Sequence, residues 1–221
     1  RTIHLNAPPV CQVPQGTSSF FQCVPTQISL PVTATDPDGN YDHCEIVSGP
    51  GSIVGGQWVY TPSTDETRKI IIQCVDQCGA VCRDSFTVQI NLNAPPVASA
   101  GEDQTLFLCG STQVCWDAIA TDEDGNLKLV ELVPPSEGTY NPTTKKICFT
   151  PQYAEGQTRT YTFIVKATDS CNAIDYDTSV VTVKFNSPPA IHAPSNFSAY
   201  LEMLGELCFD VQVTDVDNNI S

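Results

Sequence analysis

"VCWDAIATDEDGN", residues 114–126, carries two signals in a row. Val114, Trp116, Ala118 and Ala120 alternate with Cys115, Asp117 and Ile119, and an acidic turn follows at once. Side chains two apart share one face of an extended strand, so the alternation predicts a β-strand with one buried side that ends at the turn. The same pair of signals stands in "ISLPVTATDPDGN" at 28–40, with Ile28, Leu30, Val32 and Ala34 in phase. It returns in "LCFDVQVTDVDNN" at 207–219, with Leu207, Phe209, Val211 and Val213. "YTFIVKA" at 161–167 alternates likewise through Tyr161, Phe163, Val165 and Ala167. Clusters of Gly, Pro, Asn and Asp punctuate at short intervals and no segment has a helical period, which predicts all-β sandwiches.

The acidic turn is not the only repeated element. "LNAPPV" at 5–10 recurs at 92–97 and, as "FNSPPA", at 185–190; the steps from Asn6 to Asn93 and from Asn93 to Asn186 are 87 and 93 residues. Spacings of that size match one small sandwich. A double proline cannot continue a central ladder and stiffens the chain, so these segments read as short Pro-rich linkers between domains. Upstream of them, "RTIHLN" at 1–6 matches "TVQINLN" at 87–93 and "VVTVKFN" at 180–186, the last strand of each repeat. The expected division is a final strand of a preceding repeat at 1–5, repeats at 6–92 and 93–185, and the start of a third at 186–221. Such a chain is expected to be a window on a longer array, or a subunit completed by its neighbours.

Composition bounds the setting. Ten basic and 25 acidic side chains give a net charge of −15, which disfavours nucleic acid and anionic lipid as partners and favours divalent cations. No apolar run approaches the roughly 18 to 20 residues of a membrane span. Eleven cysteines are scattered among strand-like segments and not gathered into paired CxxC knuckles. This reads as a disulfide framework, which places the chain in an oxidising compartment, outside the cell or on its surface.

"NAPPVASAGEDQTLFL", "ATDEDGN" and "YTFIVKATDSCNAIDYDTSVVTV", together spanning repeat two, resemble the polycystic-kidney-disease-type and cadherin-like immunoglobulin-fold repeats of large bacterial surface proteins. The chain lacks the "WDFGD" stretch of the first family and the "DxNDN" linker of the second. The resemblance implies tandem immunoglobulin-like sandwiches serving as spacers, adhesive modules or accessory domains.

Aligning the repeats on the acidic turn sorts the cysteines. Cys115 and Cys148 fall opposite Ser29 and Val59, so both are private to repeat two; in an immunoglobulin-like order they lie on neighbouring strands B and E and are expected to bond. Cys208 aligns with Cys115, and its expected partner lies past residue 221. Cys44 and Cys74, private to repeat one, are expected to bond between strands C and F, which leaves Cys11 for Cys82. Cys23 aligns with Cys109 in the A–B turn, and Cys78 with Cys171 in the F–G turn. These turns lie at opposite ends of a sandwich, too far apart for a bond within one repeat. Cys23 and Cys171 are therefore expected to staple repeat one to repeat two, with Cys23–Cys78 and Cys109–Cys171 as the alternative. Zinc on Cys74, Cys78 and Cys82, helped by Cys44 or His43, is a further alternative, although C-x3-C-x3-C is not a usual zinc spacing.

Asp36, Asp38 and Asn40 recur as Asp122, Asp124 and Asn126, and as Asp215, Asp217 and Asn219. Alternating oxygen side chains in a tight turn suit a hard cation, and Asp76 or Asp169 from strand F would stand near by, so calcium at each junction is one expectation. The other is an ordinary turn in which Asp bonds its own backbone. His4, His43 and His192 are the only histidines, no catalytic motif is present, and "NFS" at 196–198 and "NIS" at 219–221 are glycosylation sequons. The chain is expected to be a non-catalytic structural segment of a filament, stalk or layer whose partners are neighbouring repeats or identical subunits. The alternative is an adhesin or a carbohydrate-binding accessory module that meets surface glycans.

Overall fold

The computed structural model describes residues 5–196, 198, 200, 206 and 208–220, and the chain divides into two compact units, Arg1–Ala94 and Pro95–Ser221. Both units are all-β, and no helix occurs among the described residues. In the first unit the strands are β1 (Val10–Gln12), β2 (Thr17–Gln22), β3 (Ile28–Pro31), β4 (Thr33–Thr35), β5 (Tyr41–Ser48), β6 (Ser52–Val54), β7 (Gln57–Tyr60), β8 (Glu66–Asp76) and β9 (Val81–Leu92). One sheet has the order β2-β9-β8-β5 and faces a second of order β3-β7-β6, extended by the pair β1-β4. Among the described residues of this unit, only β2 and β9 run parallel and every other pairing is antiparallel.

The second unit repeats the nine elements one for one. They are β10 (Val97–Ser99), β11 (Gln104–Leu108), β12 (Val114–Asp117), β13 (Ile119–Thr121), β14 (Leu127–Val133), β15 (Thr139–Asn141), β16 (Lys146–Phe149), β17 (Thr158–Asp169) and β18 (Ile174–Phe185). Its sheets have the orders β11-β18-β17-β14, β12-β16-β15 and β10-β13. The chain is thus a tandem of immunoglobulin-like β-sandwiches.

Two local breaks shape each sandwich. The first strand is split, with β1 on one sheet and β2 on the other, and the crossing is made at Gly16, whose φ of 77° an L side chain avoids. The second strand is interrupted at Val32, whose N–H turns to Gly56 O (2.9 Å); Ala118 does the same with Lys145 O (2.9 Å). Both residues are fully buried, so the interruption keeps the alternation facing inward.

The cores follow the alternation. Trp58 packs edge-on against Phe86 (centroids 5.5 Å), and Trp116 against Phe163 (4.8 Å) and Phe149 (5.8 Å). A buried indole N–H must find an acceptor, and each does: Trp58 Nε1 donates to Pro50 O and Trp116 Nε1 to Ala100 O, both at 2.8 Å.

After the second sandwich, β19 (Ala190–His192) and β20 (Gln212–Thr214) pair antiparallel, with Ala190 opposite Thr214. This repeats the β1–β4 and β10–β13 pairings. Phe209, Val211 and Val213, in phase for burial by sequence, are 57%, 51% and 45% exposed. Among the described residues these two strands have no opposing sheet to cover one face. Leu207 lies outside the described residues, as do residues 1–4 and with them most of the strand expected at 1–5.

Candidate functional site

The repeated acidic turn builds itself, and in its first and third copies it also grips the linker. Asp36 Oδ1 accepts the N–H of Asp38 (2.8 Å) and Asn40 (3.4 Å). Asp122 Oδ1 accepts those of Asp124 (3.0 Å) and Asn126 (3.2 Å), and Asp215 Oδ1 that of Asp217 (2.8 Å). The first aspartate of each copy therefore closes an Asx turn. Its left-handed position is held by Gly39 and Gly125, and in the third copy by Asn218 at φ 58°.

The second and third residues point away from the turn. Asp38 Oδ2 accepts the N–H of Ala7 (2.6 Å), and Asp217 Oδ2 that of Ser187 (2.5 Å). Asn40 Nδ2 donates to Asn6 Oδ1 (2.7 Å), and Asn219 Nδ2 to Asn186 Oδ1 (2.6 Å). Pro8 and Pro9 have no N–H, so Ala7 carries the last backbone donor of its linker before Val10, and the turn takes it.

Asp76, at the end of β8 and 2% exposed, joins the same grip. Its Oδ1 accepts the N–H of Cys78 (2.9 Å) and Ala80 (2.8 Å), and its Oδ2 accepts Asn6 Nδ2 (2.7 Å). The Asn6 hydrogen bond, aided by the turn amides and opposed by burial, holds its carboxyl below the usual carboxylate range. Asp169, fully buried, is its counterpart in the second unit and accepts Ala173 N–H (2.8 Å). The backbone completes the hold: Asn186 N–H donates to Leu108 O (3.0 Å), and Asn93 N–H to Gln22 O (2.9 Å). Asn186–Ser187 is therefore bonded both to the sandwich that precedes it and to the turn that follows it.

As arranged, these oxygens serve N–H donors. Among the described residues, the only three carboxylate, imidazole or thiol groups with ligand atoms within 4.8 Å of one another are Cys11, Cys74 and Cys82. Asp38, Asn40 and Asp76 thus form a hydrogen-bonded clasp around Asn6 and Ala7. The sequence pattern presents the linker only as a spacer and does not reveal the role of Asn6 and Asn186. The available signal is an asparagine two places before Pro-Pro in every copy.

Cys11 bonds Cys82 (Cα–Cα 5.8 Å), Cys44 bonds Cys74 (3.9 Å) and Cys115 bonds Cys148 (4.2 Å). The last two are direct cross-strand partners. Cys23 and Cys171 are disulfide-bonded, whereas Cys78, Cys109 and Cys208 are exposed free thiols. The alternative Cys23–Cys78 and Cys109–Cys171 scheme is thereby not formed. Zinc on Cys74, Cys78 and Cys82 fails as well, because disulfides occupy the first and last sulfurs. His43 sits beside Asp42 (2.9 Å) and His192 beside Thr214 (3.2 Å), both exposed. His4 lies outside the described residues, as do Phe197 and Ser221 of the two sequons.

No protein-family model matches the chain, and no curated protein matches it. Solved structures do. The chain is similar to the extracellular cadherin domains 1–4 of protocadherin gamma B7, with TM-score 0.54 and 14% identity over 83% of this chain and 53% of that one. It is similar to mouse cadherin-23 EC22–24, with TM-score 0.53 and 16% identity over 81% and 67%. It is similar to human protocadherin-24 EC1-2, with TM-score 0.50 and 14% identity over 81% and 98%. The chain spans about half the length of the protocadherin gamma structures it matches. At such identities the likeness defines a fold: sandwiches of the cadherin and immunoglobulin type. No helix among the described residues is long and apolar enough to cross a membrane.

Proposed function

We propose that this chain is a non-catalytic structural segment of an extracellular repeat protein, a filament, stalk or layer built from disulfide-reinforced sandwiches. The observation that carries the reading is the double hold on Asn186–Ser187, by Leu108 O on one side and by Asp217 and Asn219 on the other. A linker fixed on both sides transmits orientation from repeat to repeat, which a spacer needs and a flexible tether does not. The oxidised cysteines support an extracellular setting. Cys23 and Cys171 are proposed to staple the two sandwiches, and peptide mapping without reduction should yield them linked. Electron microscopy of native material tests the main reading: regular fibres or sheets are expected, and dispersed monomers that bind a glycan array would overturn it.

Calcium is a second reading, favoured by the gathering of Asn6, Asp36, Asp38, Asn40 and Asp76 at one end of the first unit. Asp38 accepts Ala7 N–H through Oδ2 alone, so its second oxygen is a candidate ligand for such an ion. Titration calorimetry decides it, since heat at submillimolar calcium is expected of a bound ion and its absence removes the metal.

A further inference from the structure

The sulfurs of Cys11, Cys74 and Cys82 lie within 4.8 Å of one another, although they belong to two different disulfides. The sheet register explains why. Cys44 on β5 is directly opposite Cys74 on β8, and Cys74 is directly opposite Cys82 on β9, so three cysteines form one row across three adjacent strands. Cys11 arrives from β1, on the other sheet, to bond the outermost of them. Cys74 is fully buried, while Cys11, Cys44 and Cys82 are half-buried. The central sulfur thus has a bonded partner on one side and a second sulfur within reach on the other.

We propose that these four cysteines form a disulfide relay that couples an external thiol to release of the first strand. A low-molecular-weight thiolate attacks Cys44 Sγ, forms a mixed disulfide there and expels the Cys74 thiolate. The Cys74 thiolate attacks Cys82 Sγ, the Cys74–Cys82 bond forms, and Cys11 leaves as thiolate. Two disulfides and one thiolate enter, and two disulfides and one thiolate leave, so no oxidant or reductant is consumed. Entry at Cys11 runs the mirror-image path: a mixed disulfide forms at Cys11, Cys82 is expelled as thiolate, attacks Cys74 Sγ and frees the Cys44 thiolate. Either way the central bond is Cys74–Cys82, a directly opposed cross-strand pair of the kind that Cys115 and Cys148 already make. Entry at Cys44 leaves β1, three residues long, tied to its unit by the β1–β4 ladder without its covalent bond to β9. Because β1 directly follows the clasped linker, its release would lengthen the spacer under load.

The test uses the full chain with Cys78, Cys109 and Cys208 replaced by serine, kept native with limiting reduced glutathione, then acid-quenched, alkylated and mapped. The expected product has Cys74 bonded to Cys82, glutathione on one outer cysteine and the alkyl group on the other. Glutathione on Cys44 with alkylated Cys74 and an intact Cys11–Cys82 bond would overturn the relay. A Cys11→Ser variant in the same background gives a second reading, since it leaves Cys82 as a thiol beside Cys44–Cys74. Alkylation shared between Cys44 and Cys82 is expected, and alkylation of Cys82 alone would refute exchange.

Discussion

Gly51 and Gly101 each stand against a buried tryptophan. A Cβ on Gly51 would lie 2.5 Å from Trp58 Nε1 and 2.8 Å from Val59 O, and one on Gly101 would lie 2.8 Å from Trp116 Cδ1. Gly39, by contrast, has nothing within 4 Å and needs glycine only for its φ of +73°. Gly51→Ala should therefore cost about 3 kcal/mol, adding overpacking to backbone strain, and Gly39→Ala about 1 kcal/mol. Urea denaturation of both variants measures this, and equal losses would mean that the tryptophan contact is not limiting. Asp76 adds a pH dependence. Its folded carboxyl titrates below the ordinary value, so its contribution is complete above the unfolded pKa and is lost as pH falls through the folded one. Asp76→Asn keeps an acceptor but removes the charge. The variant should melt lower than wild type at neutral pH, and the two melting curves should converge in acid below about pH 4.

At the scale of the element, the disulfides show what pairing of strands contributes. Cys115 and Cys148 close a loop of sequence separation 33. Losing such a bond should cost about 4 kcal/mol on the chain-entropy estimate. Calorimetry of Cys115→Ala/Cys148→Ala should show the melting transition of the second sandwich moved down and that of the first unmoved. Much of this level is legible in the residues alone. Val114, Trp116 and Ala118 announce an inward face, and Cys115 falls off it, because strand parity is local information. The split of the first strand is not legible there, because β2 pairs in parallel with β9, about seventy residues away in sequence. The interruption is only half marked: Pro31 beside Val32 signals a break in the first copy, but "WDAIA" carries no proline and Ala118 N–H still leaves the ladder for Lys145 O. The third copy of the alternation shows the limit of periodicity. Phe209 and Val211 keep the inward phase, yet burial requires an opposing sheet, which no pattern within the strand supplies.

For the whole molecule, the question is why an acidic chain of net charge −15 spends the same aspartates at every repeat. Self-repulsion among such charges would extend a loose chain, but would not fix its joints. At Ala7 and Ser187 the clasp offers a short-range device that ionic strength screens little: a carboxylate accepting a linker amide at 2.5 to 2.6 Å, next to an amide–amide pair between asparagines. Proline supplies the other half, fixing φ and removing competing donors, so that the linker has few arrangements to lose when the turn closes on it. The joints should therefore open when the carboxylates are removed while the sandwiches stay folded. Replacing Asp38, its repeat equivalent Asp124, and Asp217 by alanine should speed amide exchange at Ala7 and Ser187 by about tenfold or more, the effect of losing one charge-assisted hydrogen bond. Amides in the middle of β8 and β17, whose bonds lie inside the sheets, should exchange at the wild-type rate. Unchanged protection at Ala7 and Ser187 would mean that the prolines alone hold the linker, and uniform loss across β8 and β17 would mean that the aspartates stabilise the sandwiches instead of the joints.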